Sequence, residues 1–241
     1  MKFFNAYIHM VDKTVNSTME GFVMNNFQKN IVPSKNQNEK CVFWDLSKKP
    51  KILFVGNSIT KHAPKPSIGW INDCGMAASE IDKDYVNIIK RKIRKKYPYA
   101  SFGILQVADF EREFDTFDIE NEYLEAKEFS ADLIIMFFGA NVPKMYDTLI
   151  SPTVTFGTRY EKLRNFLDNG TDTKFIHSQG FYIRPKLDEE KEIVAKKYGD
   201  IFVNIEDIRM LDESHGRFNH PGDYGMQLIA ERFLKYIDKC L

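Results

Sequence analysis

Three short segments carry residue types that together could run acyl transfer. Lys51-Ile-Leu-Phe-Val-Gly-Asn-Ser58-Ile-Thr60 is an apolar run that empties into a serine. Leu133-Ile-Ile-Met-Phe-Phe-Gly139-Ala-Asn141 is another, ending in an asparagine, and Asn219-His220-Pro-Gly-Asp-Tyr-Gly-Met226 puts a histidine near the C-terminus. A serine hydroxyl becomes a nucleophile when a neighbouring base takes its proton, and imidazole has the near-neutral pKa for that exchange. A carboxamide N–H can hold the negative charge that develops on the attacked carbonyl, an interaction worth about 3–4 kcal/mol in a dry site.

Each residue has a plainer use when taken alone. Ser58 could be an N-cap, Asn141 an Asx turn closing its strand, and a lone histidine is usually structural. The expected placement of Ser58 is the N-terminus of the helix after its strand, where its own amide lacks an intrahelical partner. Gly139 before Asn141 permits a sharp turn or a close approach.

The elements that must position these residues are legible as alternation. Residues Lys51–Gly56, 101–107, 132–138, 173–177 and 200–205 are short apolar runs rich in Ile, Val and Phe, as parallel strands buried on both faces require. Between and after them lie amphipathic stretches at 80–97, around 160–167, at 188–198 and at 225–238. Strand and helix in alternation imply right-handed βαβ units and a three-layer α/β/α sandwich over residues 51–241. Ligands of such sheets gather at the carboxyl ends of the strands, where Ser58 and Asn141 stand.

Residues 1–50 read differently. Aromatic and β-branched patches at 3–8, 18–27 and Cys41–Trp44 are separated by the polar stretch 33–40, which predicts a small β-rich extension packed on the main domain or used in self-association as a homo-oligomer.

Composition excludes several function classes. The chain has 241 residues with 34 basic and 34 acidic side chains, so it lacks the basic excess that nucleic acid or an anionic membrane surface attracts. The basic run 90–96 lies on the polar face of an amphipathic stretch, and the acidic block 109–128 nearby compensates it. Cys41, Cys74 and Cys240 are odd in number and far apart, which is neither a disulfide framework nor a paired zinc motif. No signal-peptide pattern is read at the N-terminus, and the longest apolar run, 133–140, is too short to span a bilayer. The expectation is a cytoplasmic protein with a small-molecule substrate and no nucleic-acid or membrane partner.

With these blocks in place the chain resembles the SGNH/GDSL hydrolase superfamily. Gly56-Asn57-Ser58 matches its nucleophile block, Gly139-Ala140-Asn141 its asparagine block and His220-Pro-Gly-Asp-Tyr-Gly-Met226 its histidine block, in order, over residues 51–241. Ile68-Gly69-Trp70 and Cys74-Gly75-Met76-Ala77-Ala78-Ser79 look like an insert carried by a bacterial subgroup. The resemblance implies a flavodoxin-like sheet and cofactor-free ester hydrolysis by Ser58, His220 and Asn141. It also implies release of small acyl groups from a carbohydrate or another small ester.

Two departures stand out. The superfamily usually has an aspartate three residues before the histidine, and here that residue is Arg217. Either Ser58 and His220 form a dyad with a backbone carbonyl holding the ring, or Asp212, Glu213 or Glu206 supplies the orienting acid. The superfamily also has a glycine amide after the second strand as an oxyanion donor. The comparable residues are Ala108 and Asp109, with Gly75 as an alternative beside the Ser58 amide itself.

Other uses of the same residues are weaker. Asp212-Glu213-Ser214-His215 with His220 could be metal ligands, but the spacing matches no zinc pattern, so no metal is expected. Asp223 is more simply the N-cap of the last helix. His62 is expected to line the pocket, and Trp70 and Tyr182 to form its walls. An acyltransferase with the same acyl-enzyme, or a binding protein on a decayed hydrolase fold, are the alternative functions.

Overall fold

The computed structural model describes residues 40–44, 48–150 and 152–241. The expected patches at 3–8 and 18–27 lie outside the described residues. Six strands form one sheet: β1 (Cys41–Trp44), β2 (Lys51–Gly56), β3 (Ser101–Gln106), β4 (Leu133–Phe137), β5 (Lys174–Ser178) and β6 (Ile201–Val203), in the order β1-β3-β2-β4-β5-β6. β1 runs antiparallel to β3, and every other neighbouring pair is parallel.

The strands are buried on both sides because their residues are apolar on both. Ile52 and Phe54 face one layer, Leu53 and Val55 the other, and all four are fully buried. Each such side chain contributes about 1.5–3 kcal/mol by leaving water. One layer holds α1 (Tyr85–Lys96) and α8 (Asp223–Cys240). α8 presents Met226, Ile229, Ala230, Phe233 and Ile237 to the sheet at helical spacing. The other layer holds α2 (Ala108–Arg112), α3 (Ile119–Glu122), α4 (Leu124–Phe129), α5 (Phe156–Leu167) and α6 (Pro185–Tyr198). A short α7 (Glu206–Arg209) follows β6.

β2 lies between β3 and β4, so the chain leaves it first toward one edge and later toward the other. That reversal opens a crevice at the strand ends, where open α/β sheets bind ligands. Residues 57–58, 107–108 and 138–141 follow β2, β3 and β4 into this crevice.

Two expectations need correction. No helix begins at Ser58. The Thr60 and Lys61 amides both bond the Asn57 carbonyl, making one isolated turn. The chain then runs through 3-10 turns at Pro66–Ile68 and Ile81–Lys83 until α1 starts, capped by Asp84. Pro64 and Pro66 lack the N–H groups a continuing helix needs. Asp223 is not the N-cap of the last helix, because Gly222 holds that position and the Asp223 carboxylate accepts from the Ser79 amide and hydroxyl, both at 2.7 Å. The acidic block at 109–128 forms α2, α3 and α4 and buries Glu111 completely. Among the described residues no helix is long and apolar enough to cross a membrane.

Candidate active site

The tight turn after β2 exists because Gly56 has no side chain. A Cβ there would stand 1.7 Å from Thr60 Oγ1, which is itself bonded to the buried Tyr85 hydroxyl at 2.8 Å. Asn57, the next residue, is buried and closes an Asx turn with its Oδ1 on the Ile59 amide at 3.1 Å. Ser58, held at the crest of this turn, is half-buried with its Oγ 2.8 Å from His220 Nε2.

The histidine arrives from the other end of the chain on a strained loop. Phe218 and Asn219 have φ of 58° and 56°, both in the left-handed region that costs an ordinary residue about 1–2 kcal/mol. The result is that the Phe218 carbonyl accepts from His220 Nδ1 at 2.9 Å. A carbonyl only accepts, so Nδ1 carries the proton and Nε2 turns a lone pair toward Ser58 Oγ. Tyr182 Oη is a second Nδ1 partner at 2.9 Å. Burial holds the His220 pKa below its ordinary value, with the Phe218 carbonyl opposing and His62 reinforcing that shift.

The three acids considered as orienting groups are elsewhere. Glu206 pairs with Arg209, and Asp212 and Glu213 lie on a 3-10 turn, pointing to no partner on the His220 ring. Among the described residues, His220 Nδ1 is partnered by the Phe218 carbonyl and Tyr182. His215 is bound away from a metal-binding role with His220, its ring nitrogens on the Arg209 carbonyl at 2.9 Å and on Asn219 at 3.1 Å.

Asn141 enters from β4 through Gly139, whose φ of 134° a side chain would not adopt without strain. Ser58, Asn141 and His220 line one cavity of about 530 Å³ together with His62, Ala108 and Gln106. The Asn141 carboxamide donates to Glu111 Oε2. Glu111 Oε1 accepts from Asn57 Nδ2 at 2.9 Å and from the Gly139 amide. Burial pushes the Glu111 pKa up, and the donors on Asn141, Asn57 and Gly139 oppose it.

Of the four backbone donors expected around an oxyanion, two are engaged within the protein. The Ala108 amide donates to Gln106 Oε1 at 2.7 Å, and the Gly75 amide to Asp84 Oδ2 at 3.0 Å. The amides of Ser58 and of Asp109, in the first turn of α2, have no such acceptor among the described residues. Gln106 is fixed at its other end, where Nε2 donates to the Lys61 carbonyl at 2.9 Å.

Behind the crevice a buried ionic cluster secures the ends of β4 and β5. Asp188 accepts from Arg209 at 2.7 Å and from the Gly180 amide at 2.9 Å, and lies 3.0 Å from Lys191. Lys191 is fully buried and donates to the Phe138 carbonyl at 3.1 Å, one residue before Gly139.

Sequence reasoning missed Glu111, Gln106 and Phe218. For Glu111 a signal was present: with Val107, Phe110 and Phe114 it occupies one apolar helical stripe, and all four are buried. Phe218 acts through its carbonyl, which side-chain identity does not announce. His62 lines the cavity as expected. Trp70 belongs instead to the core, with its Nε1 on the His62 carbonyl at 3.1 Å. Tyr182 bonds the catalytic-candidate imidazole rather than standing as a bare stacking wall.

No protein-family model and no curated protein matches the sequence. Solved structures do match the fold. A mutant acetyl-xylooligosaccharide esterase from Geobacillus Stearmophilus aligns with a TM-score of 0.50 and 17% identity, over 80% of this chain and 96% of its own. A family two carbohydrate esterase from Clostridium thermocellum, solved with cellohexaose, aligns with a TM-score of 0.53 and 17% identity, over 79% of this chain and 64% of its own. A Bacteroides uniformis protein named as GDSL-like lipase aligns with a TM-score of 0.51 and 11% identity, over 80% of this chain and 97% of its own. The chain therefore has the SGNH/GDSL hydrolase fold.

Proposed function

We propose that the protein is a serine ester hydrolase that works through an acyl-enzyme on Ser58. The observation that carries this reading is the 2.8 Å contact between Ser58 Oγ and a His220 Nε2 whose ring is fixed from behind by the Phe218 carbonyl. His220 takes the hydroxyl proton as Ser58 Oγ attacks the acyl carbonyl, and gives it to the leaving alcohol as the C–O bond breaks. The imidazolium formed in between keeps Nδ1–H on the Phe218 carbonyl and Tyr182 Oη, a dyad in which neutral acceptors replace the aspartate. Asn141 Nδ2 and the amides of Ser58 and Asp109 are the donors for the oxyanion. A water deprotonated by His220 then releases the acid and frees Ser58.

Small acyl groups on a carbohydrate are the proposed substrate class. Support comes from the fold's solved neighbours, two of which are named as an acetyl-xylooligosaccharide esterase and a carbohydrate esterase bound to cellohexaose. The cavity offers polar partners for such a substrate, since His62, Gln106, Asn141, Lys61 and Arg112 line it beside the apolar Val42, Met76 and Ile104. Acetate release from acetylated xylo-oligosaccharides, measured beside hydrolysis of a long-chain p-nitrophenyl ester, tests it. Acetate release abolished by Ser58→Ala, with slower long-chain turnover, is expected. Turnover confined to the long-chain ester would sink the carbohydrate assignment while leaving the serine chemistry in place.

A further inference from the structure

We propose that Glu111 is a positioning residue of the reaction, setting the orientation of the Asn141 carboxamide and of the nucleophile turn at once. This inference deepens the esterase reading and rests on it. Glu111 lies in α2 just after β3, and its carboxylate gathers groups from the ends of the two strands that flank the crevice. Asn57 Nδ2 comes from the turn after β2, and the Gly139 amide and Asn141 Nδ2 come from the turn after β4. No part of Glu111 reaches solvent.

What an anion does here that a neutral side chain of the same size would not follows from its chemistry. A carboxylate accepts hydrogen bonds and offers none, whereas an asparagine can turn either its oxygen or its NH₂ group toward a neighbour. Facing Glu111, both Asn57 and Asn141 must present NH₂. For Asn141 this consumes one N–H and leaves the second for the cavity that it shares with Ser58 and His220. For Asn57 it leaves Oδ1 to hold the Ile59 amide, the bond that shapes the turn bearing Ser58. Burying a carboxylate is costly, and apolar packing would fill the same volume without that cost. The orientation of two carboxamides is what the anion supplies in return.

Glu111→Gln replaces one acceptor oxygen with an NH₂ group in the same volume. That group must face a donor, and the Asn141 carboxamide answers by turning its oxygen toward the introduced amide and its NH₂ away from the oxyanion position. With p-nitrophenyl acetate, kcat should fall about 10²-fold, the order seen when an oxyanion donor is removed. KM should stay within about threefold, because the lost interaction belongs to the transition state. Glu111→Asp, which keeps an acceptor-only group on a shorter arm, should recover part of the loss.

A double-mutant cycle separates positioning from bulk support. In an Asn141→Ala background, Glu111→Gln should cost at least about fivefold less than it does in the wild type, the loss that remains being the part carried through Asn57 and the nucleophile turn. Full, additive losses in kcat would overturn the assignment. If Glu111→Gln fails to fold by circular dichroism, the same cycle is run with Glu111→Asp. Ser58→Ala is the control: hydrolysis persisting in it would overturn the esterase reading itself, whereas an inactive Ser58→Ala with additive losses would overturn the role of Glu111 alone.

Discussion

The Phe218 carbonyl stands 2.9 Å from His220 Nδ1, in the place where an aspartate side chain usually orients such an imidazole. It reaches that place because Phe218 and Asn219 both adopt left-handed φ values. Strain of this kind persists only where surrounding structure fixes it and recurs at functional sites. The Asp212–Ser214 turn, the His215 ring bonds and the Gly216 amide on the His220 carbonyl supply that fixation.

Because the carbonyl rather than the phenyl ring does the orienting, Phe218→Gly should keep kcat within about threefold, glycine adopting φ of 58° without penalty. Phe218→Pro locks φ near −65° and moves the carbonyl off Nδ1, so kcat should fall at least about tenfold. Steady-state kinetics on both variants, with circular dichroism to confirm folding, checks the pair. Equal losses in the two would mean that the ring, not the carbonyl, is needed.

The pH dependence follows from the lowered pKa of His220. Burial disfavours the imidazolium, so the neutral base persists to lower pH than an exposed histidine would allow. The acid limb of kcat/KM should therefore have its midpoint below 6.5, the ordinary histidine value, with activity rising as pH increases through it. Tyr182→Phe removes one Nδ1 acceptor and so destabilises the imidazolium further. The midpoint should move down again and kcat fall about fivefold, as for one hydrogen bond of about 1 kcal/mol. A midpoint above 6.5 in the wild-type profile would contradict the assignment of His220 as the buried base.

Asn141→Ala should lower kcat by about 10²–10³-fold with little change in KM, the signature of an interaction made in the transition state. A rise in KM at constant kcat would place Asn141 in ground-state binding instead. The measurement is a Michaelis series on p-nitrophenyl acetate.

Stability behind the crevice depends on Asp188, which serves Arg209, Lys191 and the Gly180 amide in a buried setting. Asp188→Ala leaves two cations facing each other without an acid, a loss of about 3–5 kcal/mol for a broken buried pair. Urea denaturation should show the midpoint falling by a matching amount. A change under about 1 kcal/mol would mean that water or a neighbouring acid replaces Asp188.

Much of this is legible in the residues because the physical signals are local. The five parallel strands are runs of Ile, Leu, Val and Phe that no exposed element would carry, and their ends place Ser58 and Asn141 at the same edge. β1 is harder: Cys41–Trp44 pairs antiparallel with β3, and nothing in four residues states which strand they join. The turn after Ser58 reads as a helix because the Gly-Asn-Ser run looks like a cap, while the prolines at 64 and 66 that forbid the helix lie farther on. Glu111 hides in an acidic block whose average is solvated, although its own spacing is that of a core residue. Phe218 and Gln106 act through a carbonyl and through a hydrogen bond to a neighbouring amide. Those roles depend on backbone angles and on distances that only the folded chain defines.

The central claim is tested most directly by hydrolysis of p-nitrophenyl acetate by wild type and Ser58→Ala, at equal concentration and mildly alkaline pH, with a fluorophosphonate probe mapped by peptide mass spectrometry. The expected result is turnover in wild type, its loss in Ser58→Ala and label on Ser58 alone. Turnover unchanged by Ser58→Ala, or label on another residue, would contradict a serine nucleophile at the end of β2.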